Sequence, residues 1–423
     1  MVSRIVRESV IVLGGGIAGL SAALDLSQNH AVTVLEAKNR LGGRIHTLRT
    51  ANAIPIELGA EFVHGRPPDL MRIVRKAALL THEVPDRHWK DSDGGIIELP
   101  DFWEQIAAIT ERIHKTERDT SFLAILEHSR EPRESIELAK GFVEGFHGAA
   151  VDKASAKEIL LSEESSEEID GQKSLRVHEG YDMVVRHLES QCRERGVRIL
   201  TSAEVRSVEW KTKPVTVRVE SEEISNLTGD RVVVTLPTGV LRNGRIRFEP
   251  ELGKKFEAIQ EIEAGDVTKM ILQFRNRFWR EANFGFLHSS DEWFPTWWTD
   301  PRGDILTAWA GGPQGKALSK ESEDFIQNRA IETASKLFSE TVPNIRRLLV
   351  SAHTHNWSRD LFSQGAYSFI PVGALDAPKA LAEPLGETIF FAGEATDLDH
   401  QMGTVHGAIS SGRRAARELQ ACN

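Results

Sequence analysis

The sequence predicts an α/β fold built on a Rossmann-like, dinucleotide-binding domain, and the first fifty residues carry most of this prediction. Ser9–Leu13 is a short, apolar, β-branched run that stops at a glycine, as a buried parallel strand does. A G-x-G-x-x-G motif follows at 14–19, then helical periodicity over Leu20–Gln28, and then a second strand at Ala31–Leu35 that ends on Glu36. Strand, turn, helix, strand and terminal acid together form the complete βαβ fingerprint of a dinucleotide site.

Each residue type in this motif has a physical task. Gly14 permits a tight turn, Gly16 lets the backbone approach a pyrophosphate, and Gly19 lets helix and strand pack closely. The phosphates lie against the helix N-terminus, where unpaired N–H groups and the helix dipole attract anions. Glu36 is placed to accept hydrogen bonds from a ribose. The residues predicted to hold the dinucleotide here are Gly14, Gly16, Ile17, Ala18, Gly19 and Glu36.

Composition bounds the class of protein. A chain of 423 residues suggests two to four domains. A formal charge of −10 and a pI near 5.9 argue against broad nucleic-acid binding. Two cysteines exclude a disulfide framework and a multi-thiolate metal site. No apolar run reaches the length of a membrane helix, which is about 18 residues, and the first residues lack a signal-peptide pattern. We therefore expect a soluble, cytoplasmic protein without a metal, membrane or nucleic-acid partner.

The residues after Glu36 resemble the flavin-containing amine oxidase family. The run A-K-N-R-L-G-G-R at 37–44 matches the family's E-A-x-x-R-x-G-G-R stretch, whose arginine contacts the FAD pyrophosphate. Lys38 stands where the family often has arginine, which keeps the charge but loses the bidentate geometry. The run E-L-G-A-E-F-V-H-G at 57–65 matches the segment that lies beneath the flavin ring. The resemblance implies that FAD is held by Lys38, Gly43, Arg44, Gly59, Ala60 and Glu61.

A lysine interrupts the apolar strand pattern of 265–274. Lysine is rarely buried unless it is paired or functional, and by itself Lys269 would most simply lie on the exposed face of the strand. Amine oxidases carry a lysine in this strand before a Phe-Trp pair, which here is Phe278-Trp279, and it holds a water against the flavin N5. The resemblance therefore implies a catalytic role for Lys269.

The C-terminal stretch resembles the family over 357–368, 390–394 and 400–408 and ends in a helix predicted over Ile409–Leu419. In the family, an Ala-Gly-Glu acid meets the ribityl or pyrophosphate part of FAD, and the helix N-terminus faces the flavin C2 carbonyl. Val205 matches the residue whose backbone meets the adenine, although an ordinary buried strand valine is the alternative. These matches add Val205, Gly393, Glu394, Thr404 and Val405 to the predicted FAD site.

The expected substrate is a primary or secondary amine, which FAD oxidises to an imine while O2 is reduced to H2O2. Ala366 stands where monoamine oxidases have the cysteine tied to the flavin, so FAD is expected to be non-covalent. Thr404 stands where those enzymes have a second tyrosine, and 404–408 looks more like polyamine oxidases and histone-lysine demethylases. The chain is too short for the demethylases' helical insertion and extra domain. The predicted substrate-binding residues are His64, Trp357, Tyr367 and Thr404, with Tyr367 also catalytic.

Two alternatives remain at this level: a same-fold flavoprotein that oxidises an L-amino acid or another non-polyamine substrate, or a non-catalytic binding protein. The first needs an arginine for the carboxylate, and Arg66, Arg245 and Arg247 are candidates. The acidic run around 163–168 is read as a solvated helix face in preference to an amine-attracting rim. The FAD domain is predicted from residues 1–66, 175–250 and 365–423. The mixed α/β substrate domain is predicted from 67–174, which is mainly helical, and 251–364.

Overall fold

The computed structural model describes residues 7–49, 54–92, 95–116, 118–280 and 284–422. Its central layer is a five-stranded parallel sheet whose strands lie in the spatial order Arg198–Leu200, Ala31–Leu35, Ser9–Leu13, Arg231–Val234 and Ile389–Phe391. The first two strands along the chain have the predicted bounds. In the first strand only Ser9 is not buried, and in the second Val32, Val34 and Leu35 are buried, as expected for strands that are covered on both faces.

Two helices pack against each other on one face of this sheet. The first, Ile17–Leu26, starts three residues before the predicted point because Gly16, in an extended conformation, acts as its N-cap. The last, Val405–Ala421, starts four residues early because the Thr404 hydroxyl accepts the Gly407 N–H at 2.9 Å. A Cβ at Gly412 would lie 2.3 Å from the Ala18 carbonyl oxygen, so the two helices approach at nearly backbone distance.

A second, seven-stranded sheet faces the parallel sheet across the molecule's main cavity. Its strands, in spatial order, are Leu349–His353, Val267–Phe274, Ile305–Gly311, Thr296–Asp300, Phe286–His288, His88–Ser92 and Gly95–Glu98. All eight residues of Val267–Phe274 are buried, so the structure contradicts an exposed-face reading of Lys269. The strand lies between two others, which leaves no solvent-facing edge.

Four smaller sheets complete the described β-structure. A four-stranded sheet contains, in spatial order, the strands Asn226–Gly229, Val215–Glu220, Glu204–Glu209 and Arg247–Glu249. A three-stranded sheet contains, in spatial order, Val63–His64, Ser174–Val177 and Thr81–Glu83. Two-stranded pairs join Thr47–Arg49 to Pro55–Glu57 and Glu263–Ala264 to Ser368–Phe369. The remaining described helices are Pro68–Lys76, Phe102–Thr110, Phe122–Glu127, Arg133–Phe146, Ala156–Glu167, Asp182–Glu194, Thr238–Arg242, Lys254–Glu261, Gly312–Leu318, Glu323–Leu337, Val342–Leu348 and Ala377–Ala382.

Segment 67–174 contains three strands besides its helices, and one of them, His88–Ser92, pairs with a strand about 200 residues away. Helix Pro68–Lys76 ends where it does because Ala78 adopts a left-handed conformation (φ 52°). Helix Phe102–Thr110 is followed by a 3₁₀ turn at Ile113–Lys115. The parallel-sheet strands all lie within the predicted FAD segments; the segment bounds themselves stay a prediction.

Candidate active site

A cavity of about 740 Å³ extends from the carboxyl ends of the parallel strands to the seven-stranded sheet. This is the edge at which open α/β sheets bind ligands. Nearly all of the residues predicted from sequence line it: Gly14, Gly16, Ile17, Ala18, Glu36, Lys38, Gly43, Arg44, Gly59, Ala60, Glu61, His64, Val205, Lys269, Trp357, Tyr367, Gly393, Glu394, Thr404 and Val405. Gly19 is the exception.

The glycines of the first motif divide into two kinds. A Cβ at Gly19 would lie 2.0 Å from the Gly14 carbonyl oxygen, so this glycine serves helix–strand packing and not the cavity. Gly14 has a positive φ of 106°, and a Cβ there would lie 2.7 Å from the Thr235 hydroxyl. A Cβ at Gly16 would meet no atom within 4 Å. Gly16 therefore leaves open space at the helix N-terminus, where a phosphate can approach the backbone.

Glu36 is buried beneath this turn. Its carboxylate accepts the Gly15 N–H at 2.7 Å and the Lys38 N–H at 2.8 Å. Burial raises the pKa of Glu36 in spite of these bonds. The Lys38 ammonium donates to Asp360 at 2.6 Å and lies 5.4 Å from the centre of the Trp357 ring. Trp357, predicted to bind substrate, thus lies beside a residue predicted for the cofactor.

Arg44 and Glu394 form an ion pair of 2.8 Å at the floor of the cavity. The two carboxylate oxygens of Glu394 also accept N–H or O–H groups of Ser368 and Gly403 at 3.0–3.3 Å. Arg44 Nη1 donates to the Ala366 carbonyl as well, at 2.9 Å, and its remaining N–H groups have no acceptor among the described residues. Arg44, more than Glu394, is therefore free to meet an anionic group.

Lys269 is held by three acceptors: the carbonyl oxygens of Glu57 at 2.7 Å and Gly59 at 3.0 Å, and the Glu61 carboxylate at 3.0 Å. An ammonium has three N–H donors, so a water on Lys269 requires one of these bonds to open. That Lys269 holds a water against the flavin N5, as the family resemblance implies, remains a prediction.

Glu61, which the sequence assigns to the cofactor, binds other side chains. Besides Lys269, its carboxylate accepts Arg176 Nε at 2.9 Å and Trp298 Nε1 at 3.0 Å. Burial alone would raise the pKa of Glu61, but Lys269 and Arg176 hold it below its usual value. Glu61 is thus paired with three side chains and holds Lys269 in position, and its predicted contact with the cofactor remains a prediction.

Two aromatic rings are fixed in the cavity wall by hydrogen bonds. The Tyr367 hydroxyl donates to the Phe146 carbonyl at 2.9 Å, and Trp309 Nε1 donates to the Gly145 carbonyl at 2.9 Å. Burial raises the pKa of Tyr367, which keeps the phenol neutral. The sequence did not identify Trp309 as a site residue. Trp309 shares a sheet face with Lys269 because the two residues are opposed on neighbouring strands, a pairing that the apolar run Ile305–Gly311 does not reveal.

Burial lowers the pKa of two histidines that line the cavity, His64 and His147, to about 4. It also lowers the pKa of His406, the residue after the cavity-lining Val405, to about 3. The Thr404 hydroxyl is used in capping, because it also donates to the Gln401 carbonyl at 2.6 Å. The N–H groups of Val405 and His406 have no acceptor among the described residues. The helix N-terminus, and not the Thr404 hydroxyl, is thus the part available to a ligand.

The acidic run behaves in two ways. Glu168 is exposed and lies outside the cavity lining, as expected for a solvated face. Glu163, Glu164 and Glu167, however, line the cavity, and burial raises the pKa of Glu163 to about 7. The solvated-face interpretation was incomplete because helix Ala156–Glu167 lies over the cavity.

The arginines that an amino-acid oxidase would need lie elsewhere. Among the described residues, Arg66 and Arg247 are outside the cavity lining. Arg245 lines the cavity next to Val205 and is paired with Glu204 at 2.7 Å, on the predicted adenine side. This arrangement does not favour the amino-acid alternative.

The described residues contain no group of three or more His, Cys, Asp or Glu side chains placed to hold a metal ion. Within the same ranges, no helix has both the length and the apolar character needed to cross a membrane.

Comparison with known proteins identifies the class. The sequence model of the family described as flavin containing amine oxidoreductase matches residues 17–420, so the chain belongs to this family. The chain is 29% identical to probable polyamine oxidase 4 of Arabidopsis thaliana, over 98% of this chain and 87% of that protein. It is 27% identical to lysine-specific histone demethylase 2 of Homo sapiens, over 98% of this chain and 54% of that protein.

Solved structures show the same fold. Wild-type putrescine oxidase bound to putrescine superimposes with a TM-score of 0.82 at 19% identity, covering 98% of this chain and 99% of the other. Cyclohexylamine oxidase from Brevibacterium oxydans IH-35A gives 0.82 at 20% identity, with the same coverage. The predicted α/β fold is confirmed, and the chain is an FAD-dependent amine oxidase.

Proposed function

We propose that this enzyme oxidises an elongated amine of the polyamine type at a primary or secondary C–N bond, with O2 reduced to H2O2. The observation that carries the proposal is the continuity of the cavity. It passes from the Gly16 turn, past Lys269, into an end lined by aromatic rings and carboxylates. Ring faces and carboxylates are the groups that attract a cationic amine. The polyamine oxidases among the relatives support the same substrate class.

The residues present fit a dinucleotide of the FAD type. The space over Gly16 at a helix N-terminus and the free N–H groups of Arg44 suit a pyrophosphate, and Glu36 suits a ribose. The first N–H groups of helix Val405–Ala421 suit an electron-rich ring edge. When bound, FAD supplies the two-electron acceptor for the amine.

This chain's own residues bind and orient the substrate. Tyr367 and Trp309, fixed through their O–H and N–H groups, are proposed to align the amine's C–H bond. Burial between aromatic rings disfavours the ammonium form, so the substrate nitrogen loses its proton before oxidation. Lys269, tied to Glu61, is proposed to keep a fixed positive charge at the point where the cofactor's ring meets the substrate.

FAD is proposed to be non-covalent, and the protein cytoplasmic. Ala366 lines the cavity at the position where a tethering cysteine is expected. Cys192 is buried beside the Leu20 carbonyl, and Cys422 follows the last helix, so neither thiol lines the cavity. Both cysteines are free thiols, which suits a reducing compartment.

The test is an anaerobic titration of FAD-loaded protein with polyamines, acetylated polyamines, aryl-ethylamines and L-amino acids, following the absorption of oxidised flavin. We expect bleaching by polyamines, and peroxide release when air is admitted. Bleaching by L-amino acids alone would replace this proposal with the amino-acid alternative. Bleaching without peroxide would retain the amine and reject O2 as acceptor.

A further inference from the structure

A row of four residues crosses the seven-stranded sheet from Lys269. Lys269 is paired with Trp309, Trp309 with Thr296, and Thr296 with His288. Opposed residues on neighbouring strands share a face, and all four line the cavity. Since strands lie 4.7–4.9 Å apart, three steps place His288 about 14 Å from Lys269 along the cavity wall.

His288 is held in place by a chain of hydrogen bonds. Its Nε2 lies 2.8 Å from His88 Nδ1, and His88 Nε2 lies 3.3 Å from Asp86 Oδ1. Trp103 Nε1 donates to the same oxygen at 3.0 Å. The His288 ring also stacks on Phe102, with centroids 4.6 Å apart and planes within 8°. Both ring position and hydrogen bonding are therefore fixed.

This chain of bonds also selects the tautomer of His288. A carboxylate is acceptor-only, so in the neutral imidazole form of His88 the hydrogen is on Nε2 and Nδ1 is the acceptor. His288 then donates through Nε2, which leaves its Nδ1 as an acceptor. No described residue hydrogen-bonds that atom, and the residue is only half-buried in the cavity wall. An unused acceptor is thus presented about 14 Å from Lys269.

The charges lining the cavity suit a cation at this end. Its described basic side chains, Lys38, Arg44, Arg245 and Lys269, are each paired with a carboxylate. Asp86, Glu111 and Glu163 line the cavity without a Lys or Arg partner among the described residues.

We propose that His288 Nδ1 accepts a hydrogen bond from the distal ammonium of a long diamine or polyamine whose other nitrogen is oxidised beside Lys269. His88 and Asp86 are positioning residues, which keep His288 in the accepting tautomer. This inference rests on the proposed function and adds to it a preferred distance between the substrate's two nitrogens.

The experiment measures substrate Kd in the anaerobic reductive half-reaction of the holoenzyme by stopped-flow absorption. The series comprises 1,4-diaminobutane, 1,8-diaminooctane, 1,12-diaminododecane and n-alkylamines of matching length. In the wild type we expect the longer diamines to bind about tenfold more tightly than their matched monoamines, as one hydrogen bond to a charged donor provides. His288→Phe should abolish that ratio while keeping the stack on Phe102.

Three further variants test whether the diamine preference depends on an acceptor atom at residue 288, on the tautomer of His288, or on any histidine of the cavity. His288→Gln keeps an acceptor and should restore part of the diamine preference. Asp86→Ala frees His88 to change tautomer, so the preference should fall although His288 is still present. His114→Phe removes another histidine of the same cavity and should leave the preference unchanged.

Equal ratios in the wild type and His288→Phe would overturn the proposal, as would an unchanged ratio in Asp86→Ala. Failure of the proposed function has a different signature, namely no flavin reduction by any amine. In that case, the Kd of each amine is measured from the perturbation of the flavin spectrum. The ratio of diamine to monoamine Kd is then compared between the wild type and His288→Phe, and equal ratios would again overturn the proposal.

Discussion

Lys269 and Glu61 form a buried ion pair whose two members depend on each other. Lys269 is 4% exposed and Glu61 9%, and Arg176 also binds the same carboxylate. Removing one partner of a buried pair leaves a charge without compensation, which is more costly than removing both. The pair therefore holds Lys269 in place, and it also makes the stability of the folded protein sensitive to a single substitution at either residue.

We predict that Lys269→Met lowers the free energy of unfolding by about 3 kcal/mol. The double variant Lys269→Met/Glu61→Gln should recover none of that loss, because the buried Arg176 then loses its carboxylate partner. Urea denaturation of the cofactor-free proteins measures both values. A double variant more stable than the single one would contradict this account. Amine-dependent flavin reduction should be slow in both variants.

The pKa of Glu163 leads to a prediction of how the stability of the folded protein depends on pH. Its pKa in the folded protein is about 7, against a usual value of 4.5, because burial disfavours the carboxylate. Between these values the folded state binds a proton that the unfolded state releases, so the contribution of Glu163 to stability falls as pH rises through this window. Glu163→Gln should therefore flatten the fall in Tm from acid to neutral pH. Glu168→Gln, on the exposed end of the same acidic run, is the control and should follow the wild type.

At the scale of elements, the first helix is joined to its strand by glycines with opposite surroundings. We predict that Gly16→Ala lowers the free energy of unfolding of the cofactor-free protein by less than about 1 kcal/mol, because alanine can adopt the extended conformation of this N-cap without a clash although it is a weaker N-cap than glycine. FAD binding should weaken, because the new methyl group occupies the space left for the phosphates. Flavin fluorescence titration and urea denaturation measure the two effects separately.

Gly19→Ala is the matched contrast. Its Cβ would meet the Gly14 carbonyl at 2.0 Å, so we expect a loss of about 1–3 kcal/mol in the cofactor-free protein. If both variants lost FAD binding and stability together, the assignment of Gly19 to helix–strand packing and of Gly16 to the phosphate space would be wrong.

At the scale of the whole molecule, the cavity draws residues from every one of the five predicted segments. A ligand that fills it therefore adds to the contacts that already join these parts of the chain, such as the ion pair of Lys38 with Asp360. We predict that FAD at a thousandfold excess over its Kd raises the free energy of unfolding by about 4 kcal/mol. Differential scanning calorimetry with and without FAD measures this, and Gly16→Ala should show a smaller rise at the same FAD concentration.

The secondary structure of the predicted dinucleotide-binding unit could be predicted because its sequence signals lie close together in the chain. The run from Ser9 to Glu36 contains two strands, a turn and a helix whose periodicity and glycines are sufficient to define the βαβ unit. The site around Lys269 was reached only through family resemblance, since a lysine in a strand does not reveal which face it occupies. The burial of the whole strand decided that face.

The sequence by itself determined the βαβ unit of the first 36 residues and the resemblance to the amine oxidase family, because backbone preferences and hydrophobic period act between near neighbours. Only the tertiary structure decided that Glu61 binds Lys269 and Arg176, that Glu163 lines the cavity, and that His88 meets His288 across 200 residues. Such contacts form when sheet pairing and burial bring distant segments together. Their partners are set by register and packing, which have no signature in the local pattern of either segment.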